Sequence, residues 1–102
     1  MNKQDWKEGS VQEFLDLANA DMALVETKVA FARALRRRRL KSHLTQIDMA
    51  KAMQTSRSSV MRIEAGDPSV SLDVVFKALY TVGLTPREIV GVLEESPATY
   101  NS

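Results

Sequence analysis

TQIDMAKAMQTSRSSVMRIEAG, residues 45–66, reads as two short helices joined by a tight turn. The first helix is expected from about Gln46 to Met53, and the second from about Arg57 to Ala65. Thr45 can cap the first through its hydroxyl, with Asp48 three residues on in the reciprocal position. Leu44 before the cap and Met49 after it are placed to form a hydrophobic staple. Ser56 can cap the second helix, and Gly66 sits where a helix ends in a left-handed residue. Met49, Ala50, Met53, Val60 and Ile63 fall on the inward sides. Ala50 must be small, because the two helices cross beside it.

Two helices so joined form a helix-turn-helix, in which the second helix enters the DNA major groove. The bare geometry is only moderately specific; the wider run is more so. Residues 35–66, LRRRRLKSHLTQIDMAKAMQTSRSSVMRIEAG, are followed by SLDVVFKALYTVGLT at 71–85. Together they resemble the Xre/Cro phage-repressor family of helix-turn-helix domains over roughly Ala23 to Leu93. Thr45-Gln46, Met49-Ala50, Ile63-Glu64 and Gly66 stand where that family's pattern wants them. FLDLANADMALVETK, residues 14–28, is similar to the lead-in of regulators related to HigA-type antitoxins, a weaker match.

The 102 residues make one domain with enough chain for a modest core. With no cysteine and a single histidine, His43, there is no disulfide, thiolate site or zinc site to build. His43 also lacks the companions of a catalytic histidine, so neither an enzyme nor a cofactor is expected. No apolar run approaches the ~20 residues of a membrane span, and MNKQDWKEGS lacks a signal peptide's apolar core. A soluble cytoplasmic protein is the expectation. The net charge of +1 hides a segregation. Residues 1–27 carry two basic and six acidic groups, 28–62 ten basic and one acidic, and 63–102 two basic and six acidic. A basic middle that coincides with the helix-turn-helix is the electrostatic footprint of a DNA binder.

Along the chain, Ser10-Val11-Gln12-Glu13 has the form of a capping box, and Val11, Phe14, Leu15 and Ala18 make a stripe at helical spacing. A short helix over 11–19 follows, its stripe expected to pack within the chain, with a partner-binding face as the alternative. Trp6 is expected to dock on the body. Asp21 can cap a second helix running to about Leu40, with Leu24, Phe31 and Leu35 along one side. Four consecutive arginines on a helix point in four directions; Arg36 and Arg37 face water, and Arg39 lies beside the apolar stripe. After a turn at Asp67–Val70, Ser71 can cap a helix that buries Leu72, Val75, Phe76 and Leu79 and ends at Gly83. Thr85-Pro86-Arg87-Glu88 starts a last helix over 86–94, although IVGVL also has strand character.

The expected fold is therefore all-α, a five- or six-helix bundle of the lambda-repressor-like DNA-binding type with an extra N-terminal helix. Residues 1–22 form an N-terminal extension, 23–95 the helix-turn-helix domain, and 96–102 a disordered tail. The second helix of the motif presents Arg57, Ser58, Met61 and Arg62 opposite Val60 and Ile63. The resemblance puts base reading on Arg57, Ser58 and Arg62. Arginine can donate two hydrogen bonds to guanine, worth ~1–3 kcal/mol of discrimination. Gln46 stands where the family bonds the phosphate backbone, and Ser56 and Ser59 are further phosphate contacts. The resemblance also implies a structural clasp between Arg39 and Glu64. Two residues depart from the family: Gln54 stands where its turn usually has glycine, and Asp67 where its following loop often carries basic residues. The implied function is a repressor acting as a homodimer on double-stranded operator DNA, with a toxin protein as a second partner if it is also an antitoxin. The rival is a protein-interaction module that uses the helix-turn-helix only as a scaffold.

Overall fold

The computed structural model describes residues 11–95. It contains five helices and no strand among those residues: α1 Val11–Lys41, α2 Gln46–Met53, α3 Arg57–Glu64, α4 Leu72–Thr81 and α5 Pro86–Glu95. α1 is the spine. Its second half packs against α3, α4 and α5, while α2 packs against α3 and α4. Phe31 and Leu35 from α1 meet Met49, Ala50 and Met53 from α2, Val60 and Ile63 from α3, and Val75, Ala78 and Leu79 from α4. Val82, Leu84 and Ile89 close the core beneath α5. Phe31 meets Phe76 edge to face, with ring centroids 5.3 Å apart, the arrangement that sets a ring's positive edge against a negative face.

The four connections repeat one device. At His43, Gln54, Gly66 and Gly83 the chain turns left-handed, with φ of 59°, 56°, 70° and 90°. At each, that residue's amide bonds a carbonyl three residues back, and the next amide reaches one five back. For example, Gln54 bonds Lys51 and Thr55 bonds Ala50. This is the Schellman ending, which satisfies carbonyls that the helix leaves open. At Gly66 a side chain is excluded twice over, because a Cβ there would also lie 3.2 Å from Val29 Cγ2. The endings at His43 and Gln54 use residues that meet steric strain in the left-handed turn.

Four expectations change. There is no break at Asp21: α1 runs unbroken for 31 residues, so the extra N-terminal helix is its first half. An aspartate in a stretch without glycine or proline lowers helix propensity by well under about 1 kcal/mol, too little to end a helix. Secondly, the stripe Val11, Phe14, Leu15 and Ala18 does not pack within the described residues; Phe14 is 69 % exposed. The helix carries it past the bundle, and the first buried residue of α1 is Lys28. Thirdly, Leu24 is exposed for the same reason, leaving Phe31 and Leu35 as the buried pair of its side. Finally, residues 86–94 are helical: Thr85 and Glu88 form a reciprocal cap, at 3.1 and 3.2 Å, that outweighs the strand character of IVGVL. Trp6, the cap at Ser10 and the tail at 96–102 lie outside the described residues.

Candidate nucleic-acid interface

The geometry begins with two capped helix starts. Thr45 N–H donates to Asp48 Oδ2 at 2.8 Å, and Asp48 N–H to Thr45 Oγ1 at 3.0 Å. The Thr45 backbone N–H, then its hydroxyl, hold the Asp48 carboxyl below the usual carboxylate range. Ser56 Oγ accepts from Ser59 N–H at 3.1 Å and lies 3.0 Å from Ser59 Oγ. Both serines expected at phosphates are thus engaged with each other, Ser56 exposed and Ser59 half-buried. Each cap leaves the first residues of its helix, Gln46 and Arg57, on the same side, where they bound a shallow concavity with His43 and Thr45.

Beneath that concavity lies the Arg39–Glu64 pair. Arg39 Nε donates to Glu64 Oε2 at 2.5 Å and Nη2 to Oε1 at 3.0 Å, the two-pronged geometry open to guanidinium and carboxylate. Arg39 Nη1 also donates to the Leu44 carbonyl at 2.9 Å. The side chains are 9 % and 5 % exposed. Hydrogen bonding to Glu64 raises the Arg39 pKa, so the guanidinium stays charged. The chain of contacts then runs outward: Gln46 Nε2 donates to Glu64 Oε1 at 3.3 Å, and Arg57 Nε donates to Gln46 Oε1 at 3.4 Å. A buried ion pair thus orients an amide, and the amide steadies an arginine at the surface.

On α3, Arg57, Ser58, Met61 and Arg62 are exposed while Val60 and Ile63 are buried. Arg62 is not a free side chain. Its Nε donates to Asp67 Oδ2 at 2.9 Å and its Nη2 to Ser69 Oγ at 2.5 Å. The Ser69 backbone N–H, then Arg62 and the Ser69 hydroxyl, hold the Asp67 carboxyl down at about 2. Asp67 takes the place of a basic loop residue and fastens the neighbouring arginine. Asp67 lies five residues after Arg62 on the far side of the Gly66 ending, a spacing that no local rule pairs, and the sequence shows only an acid where a base is expected.

Two other contacts had no signal in the sequence. Lys28 is buried, with Nζ donating to the Pro68 carbonyl at 2.8 Å, and so ties α1 to the loop after α3. Arg38 pairs with Glu88 and holds α5 to α1. Among the described residues no cluster of three His, Cys, Asp or Glu could hold a metal ion. None of their helices is long and apolar enough to cross a membrane.

Comparison with known protein families matches residues 30–90 to a family described as a helix-turn-helix domain. No curated protein and no solved structure gives a significant match. The matched region starts in the second half of α1 and ends inside α5, so it takes in both capped helices and the Arg39–Glu64 pair. With more than half of its length matched, the chain belongs to this family of helix-turn-helix domains, of the Xre/Cro-like kind.

Proposed function

We propose that this protein is a sequence-specific DNA-binding regulator that reads the major groove with α3. The observation that carries the reading is the outer face of α3, where Arg57, Ser58 and Arg62 are exposed on a helix whose other face is in the core. In this reading Arg57 and Arg62 donate to base edges and Ser58 serves a short contact between them. Gln46, Ser56 and Ser59 meet phosphates, and these contacts fix the register of the protein on the duplex. The Arg39–Glu64 clasp acts at one remove, by holding α1, α3 and Gln46 in a fixed relation. The protein acts as a homodimer on a pseudo-palindromic operator and represses by occluding a promoter, its own among the candidates. Within this class, the lead-in at residues 14–28 and the acidic flanks favour an antitoxin that also represses its operon.

The rival, an interaction module on a helix-turn-helix scaffold, draws support from one observation: the exposed apolar stripe on the acidic first half of α1. Fluorescence anisotropy separates the two. A labelled duplex from the upstream region of the gene and a scrambled duplex are titrated across a salt series with wild type and Arg57→Ala/Arg62→Ala. Tight binding to the native duplex, lost in the double variant and weakened by salt, is the expected result. Equal weak binding to both duplexes, unchanged by the substitutions, sinks the proposal.

A further inference from the structure

From the shape and charge of α1 we infer that its exposed apolar seam is a self-association surface, taking a second copy of this chain in antiparallel orientation. Val11, Leu15, Ala18, Met22 and Val25 recur at alternating spacings of four and three. That is the 3.5-residue period of a coiled-coil seam, distinct from the side on which Phe31 and Leu35 enter the core. Val11 and Leu15 are each 50 % exposed, Met22 56 % and Val25 41 %. A helix with one apolar side in its own core and another in water is incomplete as a monomer.

The orientation comes from charge. Residues 11–27 carry Glu13, Asp16, Asp21 and Glu26 and no basic group, whereas residues 28–41 carry no acidic group and, besides Lys28, Arg38 and Arg39 that are engaged within the bundle, expose Arg33, Arg36, Arg37 and Lys41. α1 is thus a rod of opposite sign at its two ends. A parallel pair sets like charge beside like charge, but an antiparallel pair sets each acidic half beside the other copy's basic half. Pairing centred between Met22 and Val25 sets these two residues against each other across the seam, places Val11 by Arg36 of the second copy, and brings Gln12 near its Arg33.

This surface is the dimer contact that the proposed regulator needs, but its test uses no DNA, so either idea can fail alone. The full chain is studied by sedimentation velocity at tens of micromolar. Wild type is expected at the mass of two 11.4 kDa chains. Leu15→Glu/Met22→Glu, altered only at exposed positions, is expected at the mass of one chain with unchanged helical circular dichroism. The sequence has no cysteine, so Gln12→Cys and Arg33→Cys can each be made singly. A mixture of the two should cross-link on mild oxidation far better than either alone. A monomeric wild type, or a dimer indifferent to the glutamates, overturns the inference. Cross-linking within each single variant rather than between them overturns the orientation. A monomer whose Trp6 fluorescence shifts in the glutamate variant assigns the seam to the protein's own first ten residues, which also overturns it.

Discussion

Glu64 shows how one side chain can hold a buried partner and a surface side chain together. It neutralises Arg39 where neither meets much water, and its Oε1 also accepts the amide of Gln46. Glu64→Leu should cost about 3–5 kcal/mol in urea unfolding, because it strands the Arg39 guanidinium. Arg39→Met/Glu64→Leu should recover most of that loss while still weakening DNA binding, since Gln46 loses its anchor. Equal loss in the single and double variants would show the pair to be energetically idle. Arg62 presents the opposite situation, a surface arginine that is already occupied. Asp67→Asn should loosen it and so change which base is preferred near its end of the site, as read by competition among operator variants. Because the Asp67 pKa is lowered to about 2, the ionised partner is present above about pH 4 and is lost only as pH falls from there toward 2. DNA binding between pH 5 and 8 should therefore show no titration from this contact. No spacing rule pairs residues 25 apart on different helices, so Arg39 and Glu64 were legible only through resemblance to a family. The restraint on Arg62 was not legible in the same way, because Asp67 registers in the sequence as a missing basic residue.

At the level of helices, starts were easier to read than continuity. The caps at Thr45, Ser56, Ser71 and Thr85 are local hydrogen bonds between residues three apart, and each stands in the structure. Asp21 carried the same kind of signal in a place where the helix was already under way. Periodicity failed in a related manner on the stripe of residues 11–18: it says which residues share a face, but not whether anything covers it. For α5, the cap and the burial of Ile89 decide for helix against strand-forming side chains. Its Gly91 has open space where a Cβ would stand. Gly91→Ala should accordingly raise stability by about 0.5–1 kcal/mol, measured as a shift in the urea midpoint. A loss instead would mean that this face of α5 is closely covered in solution.

The whole molecule is organised by charge as much as by core. Its basic groups concentrate between residues 28 and 62, and Arg36 and Arg37 are exposed on α1. If they meet phosphates, Arg36→Ala/Arg37→Ala should flatten the slope of log affinity against log salt by about two, near 0.9 for each phosphate no longer neutralised. Sequence preference should be unchanged. An unaltered slope would place this part of α1 away from the duplex. The segregation was readable from the sequence, because it needs no folding to compute. What the fold adds is geometry: the acidic N-terminal half of α1 stands clear of the bundle, rather than folding over the basic surface.

The glycine-free endings at His43 and Gln54 fall on either side of α2. Both release steric strain if α2 comes away, whereas α4 ends on a relaxed Gly83. α2 should therefore be the first unit to open under native conditions, its amides exchanging with deuterium as a group ahead of those in α4. Gln54→Gly should slow that exchange and stabilise the domain by up to about 1 kcal/mol. If Gln46 meets phosphates as proposed, operator DNA should protect the same amides. The segment most easily loosened would then be the one whose motion the ligand arrests.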